Sequence, residues 1–162
     1  MSIADLKRLL LICYDKAHDS VTIRRCISSI FFEIVLFIAF NSPQYKDKIF
    51  RNQNGIYNGI SEIQFLRELK PILYSKIKMG KNVVINDVDN FINFMEMLTF
   101  YRTLVDHFGG FRRELLNYRI YNINTFKGYI DVNSLPLLSR EELIKILKQA
   151  ENWLDFLEKL FS

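Results

Sequence analysis

Cysteine, histidine and tryptophan are nearly missing from this chain, at two, two and one among 162 residues. Cys13 and Cys26 form no Cys/His cluster at metal-ligand spacing, so no metal is expected, and no other cofactor motif is present. The six glycines and three prolines fall in no low-complexity tract, and no internal repeat or long linker divides the chain. Charge of one sign is also scarce. The net charge is +4, with 12 Lys/Arg against 7 Asp/Glu over residues 1–80 and 10 against 11 over residues 81–162. A surplus this small permits a nucleic-acid partner without demanding one. The longest apolar run, Ile27 to Phe40, has fourteen residues with Glu33 at its middle. A membrane-spanning helix needs roughly twenty, so this run reads as a buried helix and no membrane is expected. No charged leader precedes a cleavable apolar core, and with so few cysteines an intracellular, cytoplasmic protein is the expectation.

What is abundant is apolar and aromatic. Hydrophobic residues make up 49% of the chain, and fourteen Phe with eight Tyr supply large side chains to bury, so residues 1–162 are expected to fold as one domain. Ser2 can cap a first helix in which Ile3, Leu6, Leu9/Leu10 and Cys13 recur at three and four residues, ending near Asp19. Ser20 can cap a second, running to about Phe40 and apolar on every side beyond Arg24 and Arg25. Such a helix is enclosed by neighbours or by a second copy of the chain.

Asn41, Ser42 and Pro43 break that helix, and the polar stretch Asn52 to Gly59 reads as a loop. Ser61 opens a third helix to Met79, in which Pro71 predicts a kink and Gly80 a stop. Asn86 or Asp87 caps a fourth, with a core stripe of Phe91, Phe94/Met95, Leu98, Tyr101 and Val105. Tyr118 to Val132, rich in β-branched and aromatic residues around Lys127 and Gly128, predicts a small hairpin. Ser139, followed by Glu141 and Glu142, opens a final amphipathic helix through Leu143, Ile146/Leu147, Ala150, Trp153/Leu154, Leu157 and Leu160. The expected fold is an all-α, up-and-down bundle of about five helices with one small β-hairpin before the last.

Chemistry concentrates where the fourth helix ends, in Phe100 to Gly110 (FYRTLVDHFGG). His107 titrates nearest neutral pH and can give or take a proton, while Arg102 stays charged and offers a donor fork suited to phosphate. Together these groups are equipped to break a phosphodiester bond. Five residues along a helix turn a side chain by roughly 140° and advance it by about 7.5 Å, so Arg102 and His107 do not share a face. A twofold partner would supply the missing side.

An Arg-x4-His at the end of the penultimate long helix, an irregular segment, and a closing helix of the form LSREELIKILKQAENWLDFLEKLF together resemble the HEPN superfamily, with the AbiU2-like branch nearest. The resemblance implies an HEPN-like bundle that forms a homodimer, with the two motifs meeting at the interface. It further implies a metal-independent endoribonuclease of a toxin or defence system, with an antitoxin or a nucleotidyltransferase as a further partner. Arg102 and His107 are the matching catalytic positions. The residue after the arginine is often Asn or Asp in that family, and Thr103 here keeps a hydroxyl without the amide or carboxylate. Gly109 stands where one variant carries a modified tyrosine, so that modification is not expected. Cleavage of this kind uses the ribose 2′-hydroxyl as nucleophile, His107 as general acid or base and Arg102 as the charge stabiliser, with RNA as substrate.

Each residue also has a plainer reading. Arg102 and Asp106 are spaced for a surface ion pair, and a histidine in a last turn suits the helix dipole. Glu33 is either a buried carboxylate paired with a basic group such as Arg102 or a rim residue. His18 reads as a capping or surface histidine. Arg112, Arg113 and Arg119, interleaved with Phe111, Tyr118 and Tyr121, read as RNA-backbone contacts or as the wet face of a turn. The alternative to the ribonuclease is a non-catalytic helical module for dimerisation or for RNA or protein interaction.

Overall fold

The computed structural model describes the backbone of residues 2–54, 56–60, 62–107, 122–125, 128–131 and 139–162. It describes their side chains except at 51–53, 56–58, 60, 63, 103, 104, 106, 107, 122–125 and 128–131. Among these residues the protein is an all-α bundle of five long helices, one short helix and two small hairpins. The long helices are α1 (Ile3–Lys16), α2 (Ser20–Phe40), α4 (Glu62–Lys78), α5 (Ile85–His107) and α6 (Arg140–Leu160). A 3-10 turn, Pro43–Tyr45, and the one-turn α3, Lys46–Ile49, follow α2.

Caps set most helix starts. Ser2 and Asp5 form a reciprocal capping box at α1, the Ser2 hydroxyl accepting from the Asp5 amide while the Asp5 carboxylate accepts from the Ser2 amide. At α2 the cap is Asp19 and not Ser20: its carboxylate accepts from the Thr22 amide at 2.8 Å and from the Thr22 hydroxyl, and Ser20 becomes the first helical residue. α1 accordingly ends at Lys16, earlier than expected. α5 begins at Ile85, one turn of backbone closing from the Asp87 and Val88 amides onto the Val84 carbonyl, so Asp87 is a first-turn acid and not the cap. Ser139 caps α6 through the Glu142 amide.

Two expectations along the chain change. The polar stretch read as a loop is an antiparallel hairpin, β1 (Phe50–Gln53) with β2 (Ile56–Ile60). The register shifts between Arg51 and Asn52, opposite Gly59 at φ 151°, and Asn54 takes a positive φ at the turn. Amide-rich composition marks turns but does not exclude strands, and here Asn54 supplies the left-handed residue a tight turn needs. α4 runs unbroken through Pro71, which is exposed on the solvent side. Ser61, its expected first residue, lies outside the described residues. The hairpin expected before the last helix is present as β3 (Asn122–Thr125) and β4 (Gly128–Asp131), paired Asn122 to Asp131 through Thr125 to Gly128.

One hydrophobic core joins all five long helices. α2 is central, burying ten residues from Ile23 to Ala39 and packing against α1 and α5. α1 packs on α6, α4 on α5, and α6 also reaches α2, α4 and α5. The predicted stripe of α5 is buried at Phe91, Phe94, Met95, Leu98 and Val105, with Tyr101 at its edge. That of α6 is buried at Leu143, Ile146, Leu147, Ala150, Leu154, Leu157 and Leu160. Trp153 meets Phe91 and Phe156 with ring centroids 5.5 and 5.3 Å apart, which ties α6 to α5 by aromatic edges.

α1 and α2 are linked covalently: Cys13 and Cys26, both buried, form a disulfide, with Cα atoms 5.9 Å apart. This departs from the expectation for an intracellular chain, because such bonds are rare in reducing compartments. The pairing follows from the helical hairpin, which turns two residues thirteen apart in sequence into neighbours across a seam.

Candidate functional site

The last two turns of α5 carry the motif on a packed helix. Upstream, the buried Thr99 hydroxyl donates to the Met95 carbonyl, 2.7 Å away, which satisfies the hydroxyl proton within the helix. Val105 faces the core, while Arg102, three residues before it, reaches across the bundle.

Of the candidate site residues, Arg102 has the best-defined side chain. Its guanidinium carbon lies 5.2 Å from the centre of the Phe31 ring on α2, and its Nη1 forms an ion pair with the Glu62 carboxylate in the first turn of α4. Only 22% of the Arg102 side chain and 21% of the Glu62 side chain are exposed, so water screens this pair far less than a surface pair. Phe31 is itself fixed, fully buried and edge-on to Phe65 of α4 at 6.1 Å. Three helices thus hold one guanidinium: α5 supplies it, α2 covers one side and α4 supplies the countercharge.

Glu62, forty residues upstream, is a partner of Arg102 that the sequence reading did not name. Glu33 is partly buried, its Oε2 has no hydrogen-bond partner among the described residues, and burial pushes its carboxyl above the usual range, with Asp5 of α1 adding repulsion. The side-chain charge that acts on Glu33 is that of Asp5 and not that of Arg102.

His107 is the last residue of α5. The side chains of His107, Thr103 and Asp106, and the whole of Arg112, Arg113 and Arg119, lie outside the described residues. His18 stands at the end of α1, exposed, its Nε2 3.0 Å from the Asp15 carbonyl that accepts from it. It is the surface histidine the sequence suggests.

Sequence reasoning missed Glu62 and Phe31. Glu62 carried the one available signal, an acid opening a helix, but that signal belongs equally to a first-turn acid with no partner. No group of three or more His, Cys, Asp or Glu among the described residues is arranged to hold a metal ion. No helix among them is long and apolar enough to cross a membrane. No protein-family model, curated protein or solved structure matches the chain.

Proposed function

We propose that the protein is a homodimeric, metal-independent endoribonuclease of a toxin or defence system, with Arg102 and His107 as its catalytic pair. The observation that supports this reading best is the holding of Arg102: a largely buried guanidinium fixed by Phe31 and Glu62 at the end of the helix that terminates in His107. A cation held in advance stabilises charge that develops at a phosphorane without reorganising at the moment of reaction. His107 would take the proton of the ribose 2′-hydroxyl or give one to the leaving oxygen, and the 2′-oxygen would displace the 5′-oxygen to leave a 2′,3′-cyclic phosphate. Arg112, Arg113 and Arg119 would hold the RNA backbone, with Thr103 and Asp106 beside the site. An antitoxin is the partner this reading calls for.

The reading is tested by incubating the purified protein with single-stranded RNA in EDTA. Cleavage with cyclic phosphate ends is expected, abolished by His107→Ala and reduced by about 100-fold or more by Arg102→Ala, through loss of charge stabilisation. His18→Ala should leave the rate unchanged. Retained cleavage by His107→Ala removes the assignment. A cytoplasmic location belongs to the same proposal, and the Cys13–Cys26 bond is the observation that stands against it.

A second reading, a non-catalytic helical dimerisation or interaction module, is favoured by the same ion pair seen differently. An arginine whose charge is already balanced by Glu62 and packed on Phe31 serves to join three helices without any substrate. A folded dimer that cuts no RNA decides for it.

A further inference from the structure

We infer that Glu62 is a built-in anion that occupies the phosphate-facing fork of Arg102, so that a phosphate group binds there only by displacing it. The inference rests on the reading of Arg102 as a phosphate-contacting residue and adds the group that controls access to it. A guanidinium offers two bidentate forks to an oxyanion, one along Nη1 and Nη2 and one along Nε and Nη2. In Arg102 the Nε atom is buried and the guanidinium carbon lies 5.2 Å from the centre of the Phe31 ring, so the fork that uses Nε is closed to an incoming oxyanion and the Nη1–Nη2 end is the one it would have to meet. Glu62 sits on Nη1. With four-fifths of both side chains covered, the two anions compete for one end of one cation in a region of low dielectric, where a second negative charge beside the carboxylate is strongly disfavoured.

The position of Glu62 makes displacement feasible. It stands in the first turn of α4, directly after β2, so it is carried by the start of an element and not by its middle. Glu62 is thus a positioning residue with two effects of opposite sign: it orients the guanidinium and it holds the resting site closed to phosphate.

Inorganic phosphate, titrated calorimetrically into the full-length parent, Glu62→Gln, Glu62→Asp and the Glu62→Gln/Arg102→Ala double variant, tests this. Glu62→Gln should bind phosphate about tenfold tighter than the parent, Glu62→Asp should fall between them because its shorter carboxylate reaches Nη1 less well, and the double variant should lose the gain. A purely structural role for Glu62 predicts no gain in affinity at all. Equal affinity in the parent and Glu62→Gln, with the fold confirmed by circular dichroism, overturns the inference, as does a gain that persists in the double variant. Should Glu62→Gln fail to fold, the comparison of parent with Glu62→Asp decides in the same way. RNA cleavage separates this result from the ribonuclease reading. A parent that cuts RNA without a phosphate gain in Glu62→Gln removes only the competition, and a gain without RNA cleavage removes only the nuclease.

Discussion

Glu33 and Glu62 show how the surroundings of a carboxylate, more than its place in the sequence, decide what it does. Both lie on helices, and Glu33 lies in the most apolar of them, where the sequence allows either a paired buried carboxylate or a rim residue. Arg102 pairs with Glu62 of α4, which packs on α5, whereas Glu33 of α2 feels the charge of Asp5 on α1, which packs on α2. The result for Glu33 is a carboxyl whose folded pKa lies above its unfolded value, chiefly through burial. The folded protein then binds a proton more tightly than the unfolded chain, so stability falls as pH rises from the ordinary carboxylate range through the raised value. At neutral pH the ionised form carries the full cost. Glu33→Gln should therefore raise the urea midpoint at pH 7 and leave it nearly unchanged below about pH 4, where both forms are neutral. Equal midpoints for parent and variant at pH 7 would show that Glu33 is solvated.

At the scale of elements, α1 is held to the bundle by three devices of different strength. Lys7 lies 4.0 Å from Asp155 and 3.9 Å from Glu158 of α6, but these groups are more than half exposed and contribute little. Arg140, the first residue of α6, donates to the carbonyls of Ala17 at 2.7 Å and Tyr14 at 2.8 Å, closing the end of α1 with a positive charge on its negative pole. Arg140→Ala should lower stability by about 1.5–3 kcal/mol, the scale of hydrogen bonds to a charged group, read from urea unfolding. A change below about 0.5 kcal/mol would mean that water replaces the clamp. The third device is the Cys13–Cys26 bond, which closes a loop of about a dozen residues. Reduction at constant pH should cost about 3 kcal/mol if the bond acts by restricting the unfolded chain. Identical melts with and without reductant would show that packing of α1 on α6 suffices.

These elements also mark what the sequence could reveal. The stripes of α5 and α6 were legible because their apolar residues recur at helical spacing over about four to five turns, and α2 because its apolar run is long and bounded by capping and breaking residues. The hairpin at Asn122 to Asp131 was legible from β-branched residues flanking a short turn. The β1–β2 hairpin was not, because Asn52, Gln53 and Asn54 carry the composition of a loop and its pairing is local, with a bulge that spoils any alternation. The disulfide and the Glu62–Arg102 pair were invisible for a different reason. Each depends on which helices become neighbours, and no pattern within one helix encodes that.

Across the whole molecule, apolar surface remains after the core is complete. Leu11 and Ile12 are 68% and 50% exposed on the outer side of α1, and Phe32 and Phe40 are 40% and 53% exposed on α2. Single exposed apolar residues are ordinary, but with Val21 at 42% five large ones lie on two adjacent helices joined by a disulfide. The Arg102/His107 motif adds an independent reason for a second copy. Its two positions diverge by roughly 140° around α5, so one chain alone does not aim both at a single phosphate. A homodimer that faces two α5 ends across a twofold axis brings the histidine of one chain to the arginine of the other, as the proposed chemistry requires. Light scattering at tens of micromolar should therefore give about twice the 19.3 kDa of the chain. Replacement of Phe32 by Glu tests where the contact lies: a shift to monomer puts the interface on α2, while a dimer that survives it leaves the α5 ends as the contact. A parent that stays monomeric at these concentrations removes the two-chain site and, with it, the geometry on which catalysis by Arg102 and His107 depends.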